Sequence, residues 1–97
     1  MEIEKTILEQ LGGHKFVVMT GAKNLTGGNG TLSFKIGRNA GNITHVRVTL
    51  DVSDTYTMQF LKIRAHNVTI AAQHEFVYAD QLQAIFTSVT GMATKLF

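Results

Sequence analysis

The residues able to do chemistry are few and dispersed. Histidines stand at positions 14, 45, 66 and 74, and acids at positions 2, 4, 9, 51, 54, 75 and 80. A zinc site gathers its ligands at short characteristic spacings, and no two of these histidines are four residues apart, as a helical metal-binding pair requires. Ser33, Ser53 and Ser88 have no Gly-X-Ser-X-Gly elbow around them to expose a nucleophile. Asp51 and Asp54 flank a turn, the ordinary place for aspartate. The glycine-rich stretch 21–30 has Lys23 ahead of its glycines and strand-forming residues behind it. A phosphate-cradling loop instead runs Gly-Lys-Ser/Thr straight into a helix. Cysteine is absent, which removes disulfides and thiolate ligands. The expectation is a protein that is not an enzyme and carries no metal or cofactor.

Charge is more informative than any motif. The formal net charge is only +2, yet residues 10–50 contain no Asp or Glu. Lys15, Lys23, Lys35, Arg38 and Arg47 all fall there, with His14 and His45. Such asymmetry suggests an anionic partner. Its plainer meaning is a solvated sheet face guarded by lysines against aggregation. Lys15, Lys23, Lys35, Arg38, His45 and Arg47 are therefore the candidate residues for binding a nucleic acid or another anionic partner.

Those residues need elements to position them. Ile3, Ile7, Leu8 and Leu11 trace one helical stripe, with Glu2 and Glu4 in its first turn and Gly12-Gly13 as its stop. Residues 14–21, rich in Val and Phe, favour a strand. Residues 24–30 hold three glycines and two asparagines and read as a loop. Residues 31–36 alternate, with Leu32, Phe34 and Ile36 on one side and Ser33 and Lys35 on the other. After a hairpin loop over 37–42, Val46, Val48 and Leu50 face a core while His45, Arg47 and Thr49 face away. Residues 51–55 make a polar turn.

Tyr56, Met58 and Phe60 continue the alternation, and Leu61, Ile63 and Ala65 then resume it in the opposite phase. Such a slip calls for an extra residue on one strand, a β-bulge or bend near Phe60-Leu61. Residues 68–72 suit a fifth, edge strand with Val68, Ile70 and Ala72 inward. A last helix runs from near Val77 to Thr90 on a stripe of Tyr78, Leu82, Ile85, Phe86 and Val89, ending at Gly91. An apolar tail occupies 92–97.

The expected fold is thus α+β: an N-terminal helix, a four- to five-stranded antiparallel sheet and a C-terminal helix, with both helices on one face. Residues 1–97 make one domain, since 44% hydrophobic residues suffice for one core. On that reading the other sheet face is open and carries Ser33, Lys35, His45, Arg47, Thr49, Thr57 and Gln59. Lys15 lies beside them, Lys23 and Arg38 sit in flanking loops, and Val17, Met19, Ile43, Leu61 and Ile63 are interspersed. Such a face could neutralise phosphates, although Phe34, Tyr56 and Phe60 turn inward and leave no stacking platform. No apolar run reaches the ~18 residues of a membrane span. The acidic start is no secretory signal, so the chain is expected in the cytoplasm. The Asn-X-Ser/Thr triplets at Asn24, Asn29, Asn42 and Asn67 then read as turn and strand chemistry.

Several segments also resemble a group of small bacteriophage and mobile-element proteins for which no activity is established. They are Ile7-Leu8-Glu9-Gln10-Leu11-Gly12-Gly13, Met19-Thr20-Gly21-Ala22-Lys23-Asn24 and Leu32-Ser33-Phe34-Lys35. Val46-Arg47-Val48-Thr49-Leu50, Asp54-Thr55-Tyr56 and Tyr78-Ala79-Asp80 through Ile85-Phe86-Thr87 extend the likeness over most of the chain. The resemblance implies a phage or mobile-element setting, hence a host cytoplasm, and transfers no functional residue. Two expectations follow. One is a non-enzymatic protein that binds a host macromolecule, for instance to inhibit a defence or regulatory complex. The other is a nonspecific single- or double-stranded DNA- or RNA-binding protein that uses the basic open face. Self-association through that face or through a sheet edge, as a homodimer, is compatible with either.

Overall fold

A computed structural model describes residues 2–92. The chain opens with two helices, α1 over Glu2–Leu11 and α2 over Gly13–Thr20. Gly12 between them has φ 129°, a conformation that side chains rarely allow, so the path bends and a second helix begins. Residues 14–21 are therefore not a strand. The β propensity of Phe16, Val17 and Val18 yields to packing. In a helix Phe16 and Thr20 fall on one face and are buried together, while Lys15 and Val18 remain exposed.

Five antiparallel strands follow in sequential order: β1 Lys23–Gly28, β2 Thr31–Lys35, β3 His45–Leu50, β4 Tyr56–Arg64 and β5 Asn67–Val77. The glycine-rich stretch expected as a loop is thus an edge strand, though an irregular one. Asn24 has φ 56°, and the register slips between Lys23 and Thr26. A Cβ on Gly27 would lie 2.7 Å from Glu4 Cγ, so glycine lets α1 sit on the β1–β2 hairpin. The Glu4 carboxylate then accepts the Gly30 N–H at 3.1 Å. Asn24, Asn29 and Asn42 all take positive φ, and Asn67 opens β5, so the four triplets do serve turns and a strand.

Of the two register changes between β4 and β5, one falls where the pattern placed it, and the other, between Tyr56 and Met58, was not foreseen. Phe60 pairs with Ala72 and Leu61 with Ile70, which leaves Ala71 as the extra residue on β5. The fifth strand is real and lies at the edge. The bulge sets Val68 and Ile70 opposite Ile63 and Leu61, on the face away from Phe60. They are 64% and 53% exposed, not inward as expected. Only Ala72 turns to the core.

A short 3-10 turn over Ala79–Gln81 leads into α3, Leu82–Thr90. Tyr78 precedes the helix and is exposed, so it is no part of the buried stripe. Its N–H instead donates to Gln81 Oε1 at 3.0 Å. Of the tail read over 92–97, Met92 packs against the core and residues 93–97 lie outside the described residues. No helix among the described residues is long and apolar enough to cross a membrane.

One apolar cluster joins these elements. Ile7, Leu11, Phe16, Leu82 and Phe86 from the three helices meet Leu32, Phe34, Val46, Val48, Met58 and Phe60. The sheet members alternate along β2, β3 and β4 and so define a single face. At the centre the Phe16 ring stands edge-on to Phe34 at 5.4 Å and to Phe86 at 5.0 Å. α2 and α3 share a local device: Phe16 and Phe86 are each followed four residues later by a buried threonine. Thr20 Oγ1 donates to the Phe16 carbonyl at 2.7 Å and Thr90 Oγ1 to the Phe86 carbonyl at 2.8 Å. Each hydroxyl thereby finds a partner without leaving the core.

Phe86→Ala should cost about 3–5 kcal/mol, because a fully buried ring leaves a cavity among Phe16 and Phe60. Ser88→Ala, on the exposed side of α3, should stay within about 0.5 kcal/mol. Gly27→Ala should cost about 1–3 kcal/mol by driving Glu4 off the hairpin. Denaturant midpoints of the three variants against the parent check all three values.

Candidate functional site

The sheet face away from the helices is organised in rows by the strand register. Thr31, Thr49 and Thr57 form one row, and Ser33, Arg47, Gln59 and Gln73 the next. Lys23, Lys35, His45, Leu61 and Ile70 form the third. The seven polar residues expected to share a face (Ser33, Lys35, His45, Arg47, Thr49, Thr57 and Gln59) therefore do share it. Side chains bridge the strands: Arg47 Nη1 donates to Gln59 Oε1 at 3.3 Å, and Gln59 Nε2 to Gln73 Oε1 at 3.1 Å. Thr31 and Thr49 hydroxyls are 3.1 Å apart, and Thr57 donates to Asp51 at 2.6 Å.

Charge separates along the strands. Lys23, Lys35, His45 and Arg64 lie at one end of β1–β4, and the 36–44 connection carrying Arg38 closes that end. Asp51 and Asp54 occupy the β3–β4 turn at the other end, toward which β5 carries Glu75. A five-stranded meander alternates strand direction, so charges far apart in sequence collect at common ends. Lys35, Arg38 and Arg64 line one open depression of about 200 Å³ with Asn39, Asn42 and Thr44.

Two of the neutral groups in that depression, Asn39 and Thr44, are already committed. Asn39 Nδ2 donates to the carbonyls of Gly37 and Ile43 at 2.8 and 2.7 Å, and its Oδ1 accepts from Ile43 N at 3.0 Å. One side chain thus ties the connection into a fixed shape. Thr44 Oγ1 accepts from Ile63 N at 2.8 Å and donates to the Leu61 carbonyl at 3.2 Å. The His45 Nδ1 atom lies 2.8 Å from the same hydroxyl. By contrast, Lys35, Arg38 and Arg64 have no hydrogen-bonded or ion-paired partner among the described residues. Their donors are available to an incoming anion.

Of the six candidate residues, the structure gathers Lys23, Lys35, Arg38 and His45 at this end, with Arg47 one row inward. Lys23 belongs to β1 and not to a loop. Lys15 does not join them: it is exposed on α2, whose Phe16 and Thr20 pack into the core on the other side of the sheet. Val17 and Met19 lie on α2 too, so they leave the open face, and Ile43 is buried in the core. Arg64 was missed by reading charge from 10–50 alone. Its signal was topological, since a strand ending at 64 must finish beside strands that end at 35 and begin at 45.

Desolvation pushes the His45 imidazole below its ordinary pKa, and the neighbouring Lys35 charge adds to the shift. In an NMR pH titration the His45 ring should titrate below the usual 6.5. Lys35→Met should raise its pKa by removing the repelling charge. The unfolded chain takes up this proton first, so His45 contributes stability above about pH 6.5 that is lost as pH falls through the folded-state pKa. A His45 pKa unmoved by Lys35→Met would separate the two groups.

Comparison with known proteins yields no matching family model, no matching curated protein and no matching solved structure.

Proposed function

We propose that this chain is a non-enzymatic binding protein that grips the phosphate backbone of a nucleic acid with the cationic end of its open sheet face. The supporting observation is that Lys35, Arg38 and Arg64 line one depression with no partner of their own among the described residues. Lys23 and Arg47 extend that charge across β1–β3, with the His45 ring, its pKa pushed down, as a neutral polar group between them. Cations held this way neutralise phosphates and release counterions, which gives affinity without base readout. No aromatic ring stands among these cations to stack on bases: Phe34, Tyr56 and Phe60 are buried on the other face, and the exposed Phe76 and Tyr78 lie at the opposite end of β5. The polar ladder of Arg47, Gln59 and Gln73 offers hydrogen bonds to sugar and phosphate along the same surface. In the phage or mobile-element setting that the resemblance implies, the ligand is a host macromolecule, and occupying it is the protein's action.

Fluorescence anisotropy with labelled single- and double-stranded oligonucleotides tests this. Affinity should fall linearly with the logarithm of salt concentration. The triple reversal Lys35→Glu, Arg38→Glu and Arg64→Glu should abolish low-salt binding. Single neutralisations should each reduce the salt slope by about 1. Lys15→Glu should change affinity little, because that residue stands on the helical side. Binding that survives the triple reversal, or no binding at low salt, contradicts the proposal.

A further inference from the structure

The two edges of the sheet are built differently. β1 begins with a lysine, carries a left-handed residue at Asn24 and ends in two glycines, devices that keep an edge from pairing. β5 is the longest strand, eleven residues, and contains no Lys, Arg or Pro; its own left-handed residue, Phe76 (φ 56°), and a second register shift opposite Tyr56–Met58 lie at its far end, away from Asn67–Ile70. All of it is exposed apart from Ala72 and Val77, and among the described residues its outer backbone makes no hydrogen bond to another element. The bulge at Ala71 leaves Asn67-Val68-Thr69-Ile70 as a regular run, with exposed Val68 and Ile70 beside the half-buried Ile63 and over the buried Leu61.

Charge selects the partner strand. The Arg64-Ala65-His66 turn at one end of β5 is basic, whereas Glu75 and then Asp80 lie toward the other end. A strand that complements this gradient must run antiparallel and carry the same gradient. The β5 strand of a second copy meets both conditions. From these features we infer that the chain dimerises by antiparallel pairing of its β5 strands about a two-fold axis near Thr69-Ile70, giving one continuous ten-stranded sheet. The axis sets the basic turn of each chain beside Glu75 of the partner subunit, and it is the self-complementary arrangement that most homodimers adopt. Val68 and Ile70 of both copies then form one covered apolar strip on the open face. Lys23, Lys35 and Arg38 lie away from the β5 seam, so each chain keeps these cations for an anion while its Arg64 faces the partner's Glu75.

Sedimentation velocity from micromolar to submillimolar protein should show a species of twice the 10.7 kDa chain mass growing with concentration. Val68→Lys with Ile70→Lys should weaken association by at least about tenfold, since like charges then meet across the axis. Both sites are exposed, so folding is preserved, which the helical circular dichroism of the variant verifies. Glu75→Lys alone should also weaken the dimer at low salt, and adding Arg64→Glu should restore it. A chain that stays monomeric throughout overturns the inference. So does a dimer indifferent to the double lysine variant, or a charge swap that fails to restore association.

Discussion

The contact on which the rest of the structure depends is the ring cluster of Phe16, Phe34 and Phe86. None of the three helices among the described residues exceeds ten residues, too short to be stable alone in water. Each is held because it delivers side chains into the same face of the sheet, and Phe16 and Phe86 are the largest of these, both fully buried. Since all the helical cover goes to that face, the other face is left bare. The cationic surface is thus a consequence of how the core is closed.

Alternation was the most legible signal. In β2, β3 and β4 the apolar residues repeat with period two, so core, open face and phase slip could all be read before any coordinates. Lys35, His45 and Arg47 follow directly from it. The slip was less transparent, because a pattern along one strand does not say which strand holds the extra residue. With the bulge on β5, β4 keeps its phase, and Leu61, Ile63, Val68 and Ile70 stand together on the outer face.

Two segments were misread for related reasons. Residues 14–21 have strand composition, yet Gly12 and Gly13 free the chain to turn and the core needs Phe16 and Thr20 side by side. Residues 23–28 have loop composition, yet Gly27 is small to admit Glu4 and not to permit a turn. In both cases the deciding partner lies elsewhere in the molecule, where local propensity carries no information. Lys15 was misplaced with the first segment, and Arg64 was overlooked because sequence distance hid its nearness to Lys35. Arg38 was legible as a loop cation, but its place in the depression depends on the Asn39 bonds that fix the connection.

The central claim is that one end of the open sheet face binds a polyanion. Amide chemical-shift mapping with an unlabelled oligonucleotide at low salt tests it most directly. The account predicts shifts concentrated at Lys23, Lys35, residues 37–45, Arg47 and Arg64, with Asp51, Asp54 and the exposed side of α2 and α3 unmoved. Shifts centred on α2 around Lys15, or spread evenly over both faces, would contradict it.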